Sequence, residues 1–133
     1  MAAWGTGSFE NDEATDWATE LEEANDFTLV EEAFAAVEES EEFLDADTGC
    51  IAIAAAELVA SSLGNPGDHE GETGEALEGF IERVGQPAPD KLRETALKVL
   101  DAVMGEESEL SDIWEVGAGW RASIRDLQAR LQN

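Results

Sequence analysis

Apolar residues recur along this chain at intervals of three and four, the repeat of one face of an α-helix, and no stretch alternates as a half-buried strand would. Ala14, Trp17, Ala18 and Leu21 predict a first helix that starts after Asn11 and runs to about Ala24. Asn11 is a cap residue by type, and Asp12 and Glu13 fall in the first turn, where acids favour the positive end of the helix dipole. Thr28-Leu29-Val30-Glu31 has the form of a capping box, in which threonine and glutamate reciprocally satisfy free backbone donors. It opens a second helix with Val30, Ala33, Phe34, Val37 and Leu44 on one face.

The pattern changes after a turn around Asp45 to Gly49. Cys50 to Ala60 is apolar nearly all the way round, broken only by Glu57, and a helix of that kind belongs at the centre of a fold. We expect it to span about Thr48 to Leu63 and to end at Gly64, where Gly64-Asn65-Pro66-Gly67 stacks several breakers. The polar loop from Gly64 through Thr73 is the segment expected to be mobile. A short helix from about Gly74 to Arg83 follows. Gln86-Pro87-Ala88-Pro89-Asp90 then opens another, with a Leu92, Ala96, Val99, Leu100 and Val103 stripe that ends at Gly105. Leu110, Ile113 and Trp114 predict a turn of helix, and Trp120, Ile124, Leu127 and Leu131 one side of a last helix. The expectation is a single all-α domain over residues 1–133, about six helices around a central apolar one.

Charge alters what such a domain is expected to do. The chain of 133 residues has 32 acids against 7 bases, a formal net charge of −25. The first basic residue is Arg83, so residues 1–82 carry 23 acids and no lysine or arginine, whereas residues 83–133 carry 9 acids and all 7 bases. Such a surface repels nucleic acid phosphates and anionic lipid, which argues against direct binding to nucleic acid or a membrane. Basic proteins and metal ions remain as partners. High charge also marks disorder, but 43% hydrophobic residues in periodic order argue for a packed core. Adaptation to a salt-rich cytoplasm accounts for the excess of acids, because salt near 1 M shortens the Debye length to ~3 Å.

With Cys50 as the single cysteine no intrachain disulfide or Cys/His zinc spacing can be written, which fits a reducing compartment. The opening residues do not read as a secretion signal, and no apolar run reaches the ~18 residues needed to span a bilayer. The expected location is cytoplasmic.

The opening Trp4-Gly5-Thr6-Gly7-Ser8-Phe9-Glu10-Asn11-Asp12, followed by Ala14, Asp16 and Trp17, resembles the start of a bacterial family known as domain of unknown function 4259. Ala54-Ala55-Ala56-Glu57-Leu58-Val59-Ala60 is similar to its central helix. Ser108-Glu109-Leu110, leading through Trp114 to Trp120 and a closing Leu127, Arg130 and Leu131, is similar to its end. The chain departs from it at Ala2, where the family carries glycine. The resemblance covers nearly the whole chain and implies no established activity or cofactor.

Candidate chemistry is sparse. Gly5-x-Gly7 has no preceding strand, third glycine or nearby lysine, so it reads as a tight turn that places Trp4 and Phe9 in the core, not as a phosphate loop. Asp12, Asp16 and Glu20, four apart on one helical face, could offer oxygen ligands to a hard cation, against the plainer reading of a solvated acidic face. Asp45-x-Asp47-x-Gly49 resembles the start of a calcium loop, but its glycine is one place early and no closing glutamate follows at the required distance. His69 in Asp68-His69-Glu70 would need remote ligands to hold a metal and reads as an exposed loop histidine. Cys50 faces an alanine-rich helix without a basic neighbour and reads as a small buried hydrophobe. Asp12, Asp16 and His69 are thus weak metal candidates, and no catalytic or cofactor-binding residue stands out.

Glu57 is the most informative residue. A carboxylate amid alanines, leucine and valine must reach solvent, pair with an arginine, or accept donors from a loop. The expected partner is the opening glycine loop or a C-terminal arginine. The anchors expected to hold the fold are therefore Trp4, Phe9, Asn11, Trp17, Glu57, Trp114 and Trp120. The favoured function class is a non-catalytic acidic interaction protein, of immunity or inhibitor type, that binds a basic partner. The rivals are a divalent-cation-dependent enzyme using Asp12 and Asp16, and a nucleic-acid mimic.

Overall fold

A computed structural model of the chain describes residues 12–24, 26–39, 46–64, 71–86, 88–103 and 118–132. Among the described residues there are six helices and no strand: α1 (Asp12–Leu21), α2 (Thr28–Glu38), α3 (Ala46–Ser62), α4 (Gly71–Val84), α5 (Asp90–Val103) and α6 (Ala118–Gln132). The fold is all-α. Trp4, Phe9, Asn11, His69 and Trp114 lie outside the described residues, as do Leu44, the Asn65–Glu70 part of the loop expected to be mobile, and the turn of helix expected at Leu110 to Trp114.

The central position of α3 follows from its side chains. Residues 52–60 are buried without interruption, so this helix has no solvent face over more than two turns, and it packs against each of the other five. Alanine makes that possible. Ala54, Ala55 and Ala56 project little beyond the backbone, which lets neighbouring helices approach closely. Each surrounding helix contributes one apolar stripe. Trp17 and Leu21 come from α1; Val30, Ala33, Phe34 and Val37 from α2; Ala76, Leu77 and Phe80 from α4; Leu92, Ala96, Val99, Leu100 and Val103 from α5; Ile124, Leu127 and Leu131 from α6. Cys50 is buried in the same core.

The helix ends are fixed by different devices. Gly64 (φ 90°) and Gly85 (φ 71°) end α3 and α4 in the left-handed region, where a side chain would be strained. Ser62 joins α3 to the segment before α5: its hydroxyl donates to the Val59 carbonyl at 2.8 Å and accepts from the Ala88 N–H at 3.0 Å. The start of α2 differs from the capping box expected at Thr28. Phe27 occupies the cap position with no side-chain capping bond, and Thr28 is already the first helical residue. Phe27 is the cause, because its ring packs edge-on against Phe80 at 5.5 Å and draws the chain into the core one residue earlier. Asp26 then accepts the Thr28 N–H at 3.0 Å. The start of α4 also differs, at Gly71 and not near Gly74, so the last residues of the expected loop form the first turn of that helix.

Candidate functional site

Glu57 is the one buried charged residue among the described positions, with 2% of its surface exposed. A lone carboxylate there would be strongly unfavourable. It is met by Arg130 of α6 in a two-pronged pair: Nη1 donates to Oε2 at 2.6 Å and Nη2 to Oε1 at 2.8 Å. Planar guanidinium and planar carboxylate match in this geometry, which is why arginine serves here and lysine would not. The Nε of Arg130 donates to Asp126, one turn back on α6, at 3.0 Å. The hydrogen bond to Glu57 raises the Arg130 pKa above its ordinary value, opposed by burial and aided by the nearby charges of Glu57 and Asp126. The pair ties the middle of the central helix to the last helix.

A second arginine is also turned to structural use. Arg83, in the last turn of α4, donates from Nε and Nη2 to the Ala24 carbonyl, each at 3.1 Å, and from Nη2 to the Leu21 carbonyl. The Leu21 oxygen, which also accepts the Ala24 N–H at 3.0 Å, closes the C-terminal end of α1 and the Ala24 oxygen belongs to the turn that follows it, where a cation is favoured by the helix dipole. Gly79, one turn earlier on α4, leaves room for the guanidinium, since a Cβ there would stand 3.3 Å from Arg83 Nη1.

Among the described residues, the acids from Asp16 to Glu39 have no such partners. All nine carboxylates between Asp16 and Glu39 are exposed. Among the described residues, the ion pairs gather on Arg130, and none joins these nine carboxylates to a base. Asp26 is held below the usual carboxylate range by hydrogen bonds from the Thr28 side chain first and its backbone N–H second. Asp16 and Glu20 both lie exposed on α1, while Asp12 begins that helix. Among the described residues no three of His, Cys, Asp and Glu converge where a metal ion could be held. Trp17 is buried, and Trp120 lies in α6.

The profile of a family described as a domain of unknown function, DUF4259, matches residues 2–123. The chain belongs to the DUF4259 family. No curated protein and no solved structure matches it. Within this DUF4259 chain the family match takes in α1 to α5 and the opening turns of α6, but stops short of Arg130. Among the described residues no helix is long and apolar enough to cross a membrane.

Sequence reasoning singles out Glu57 but not which arginine meets it. Arg130 follows Leu127 by three residues and precedes Leu131 by one, which places it at the edge of the buried stripe of α6. It misses the role of Arg83 altogether, because a side chain that caps another helix leaves no local spacing signal.

Proposed function

We propose that this domain is a non-catalytic interaction protein whose acidic α1–α2 surface engages a basic protein, in the manner of an immunity protein or inhibitor, in a bacterial cytoplasm rich in salt. The observation that carries this reading is how the charges are deployed. Arg83 and Arg130 are turned onto a helix end and a buried carboxylate, while the nine carboxylates from Asp16 to Glu39 face solvent with no base against them among the described residues. A surface of one sign steers an oppositely charged partner and disfavours like-charged ones. High cellular salt supports the same surface in the unbound state by screening its self-repulsion.

The test is affinity capture from an extract of the native host at its own salt level. Two baits are compared: the parent, and a variant with Asp16→Asn, Glu20→Gln, Glu31→Gln and Glu38→Gln. A basic protein retained by the parent, lost by the neutralised bait and released by added sodium chloride supports the proposal. Equal retention by both baits contradicts it. Turnover that depends on added divalent cation and on Asp16 would favour an enzyme instead.

A further inference from the structure

An open groove of about 390 Å³ runs between α2 and α5. Its floor is apolar. Phe34 and Leu92 reach it from the core, and Ala35 and Pro89 are exposed along it. Its walls carry opposite charges. Glu31 and Glu38 stand on the α2 side, seven residues and so about 10 Å apart along the helix axis, and Lys91 stands on the α5 side. All three are exposed, and among the described residues none of them is engaged in an ion pair. The Thr95 hydroxyl, also at the groove, is committed to the Lys91 carbonyl at 2.8 Å.

We propose that this groove seats a segment of the basic partner in which one apolar side chain is flanked by two lysines or arginines about 10 Å apart, which in an extended peptide of polyproline II form, with about three residues per turn and a rise of about 3.1 Å, are residues i and i+3 on one face. The proposal rests on the reading of the domain as a binder of basic proteins and locates where the partner docks. Charge complementarity selects the occupant. The two unpaired glutamates attract a cation at each end of the α2 wall, and the apolar floor between them takes the side chain that separates the cations. Lys91 repels a third cation and favours a backbone carbonyl or an acid on the α5 side, so the segment lies in one orientation. A second copy of this chain is a poorer occupant, because two bodies of charge −25 repel over the whole approach.

The experiment measures fluorescence anisotropy of three dansylated ten-residue peptides against the full chain at moderate salt. One has a Lys-Gly-Leu-Lys core in neutral flanks, the second replaces leucine by serine, and the third replaces both lysines by glutamate. Burying leucine should strengthen binding about tenfold over the serine peptide. Glu31→Gln with Glu38→Gln should weaken the leucine peptide by a few-fold to about tenfold. Glu22→Gln with Glu23→Gln makes the same change in charge away from the groove and should leave affinity within about twofold. Ala35→Tyr, which fills the groove from an exposed position, should abolish the preference for leucine over serine. If that variant does not fold, the paired glutamine variants still decide the matter.

Failure takes two distinguishable forms. Should both lysine peptides bind equally and both glutamine pairs weaken them equally, overall charge attracts the partner and the groove does not. Should neither lysine peptide bind better than the glutamate one, the reading of the domain as a binder of basic proteins falls as well. A concentration-dependent dimer in sedimentation that Ala35→Tyr dissolves would overturn the proposal in favour of a second copy.

Discussion

Arg130→Met leaves the Glu57 carboxylate buried at 2% exposure with both of its guanidinium bonds gone. Removing one member of a buried pair costs about 3–5 kcal/mol, because the remaining charge keeps its desolvation cost without the opposite charge that offset it. Arg130 keeps 18% of its side chain exposed, so water reaches the edge of this pair and the lower end of that range applies, about 3 kcal/mol. For a domain of this size each kcal/mol moves the melting midpoint by roughly 3–6 °C, which gives a fall of roughly 9–18 °C. Glu57→Leu combined with Arg130→Met removes both charges and should recover most of the loss, since a hydrophobic pair of similar volume is often as stable as the ion pair it replaces. Asp126 meets the same arginine but is 70% exposed, and Asp126→Ala should cost less than about 1 kcal/mol. Thermal unfolding followed by circular dichroism reads all three variants. If Arg130→Met melts within about two degrees of the parent, Glu57 finds its stability elsewhere and the pair is not the tie between α3 and α6.

Three further outcomes are expected. Gly85→Ala meets no neighbouring atom but must adopt φ 71°, so it should lower stability by about 1 kcal/mol through the backbone alone, visible as a shift of the chemical unfolding midpoint at constant slope. Asp26 has a depressed folded pKa, so its contribution is present above its unfolded pKa of about 3.9 and is lost as pH falls through the folded value. The gap in melting midpoint between the parent and Asp26→Ala should therefore begin to close once pH falls to about 4 and go on closing as pH falls further, whatever the overall trend of the protein with acid. Sodium chloride from about 0.1 to about 2 M should raise the melting midpoint more than a neutral osmolyte of equal water activity, and Glu22→Gln, Glu23→Gln and Glu38→Gln together should flatten that rise; a level midpoint would remove salt adaptation as the reason for the charge.

Periodicity made the helices and their buried stripes legible, because a 3.6-residue repeat needs no knowledge of partners. The stripes Val30, Ala33, Phe34, Val37 and Leu92, Ala96, Val99, Leu100, Val103 face the core as the pattern implies. The near-continuous apolar run around Glu57 marks α3 as central before any contact is known. Helix starts were less legible. Thr28 carries the residue types of a capping box, yet Phe27 packing on Phe80 overrides the local preference, and the neighbouring Asp26 accepts the Thr28 N–H. Gly71 and Gly74 resemble loop residues, and the packing of Ala76, Leu77 and Phe80 below them is what the sequence cannot express locally. Arg83 on the α1 carbonyls, Arg130 on Glu57 and the groove between α2 and α5 all join residues far apart in the chain. Only the fold brings them together.

The most direct measurement for an acidic binding surface is the association rate constant of a captured basic partner as sodium chloride rises from about 0.05 to about 0.5 M. Over that range the screening length falls from more than 10 Å to about 4 Å. If the exposed carboxylates from Asp16 to Glu39 steer the encounter, the association rate constant should fall by about tenfold or more while dissociation changes far less, and the variant carrying Asp16→Asn, Glu20→Gln, Glu31→Gln and Glu38→Gln should be slower from the outset and less sensitive to salt. An association rate indifferent to salt, or one equally steep in that variant, would contradict the role assigned to this surface.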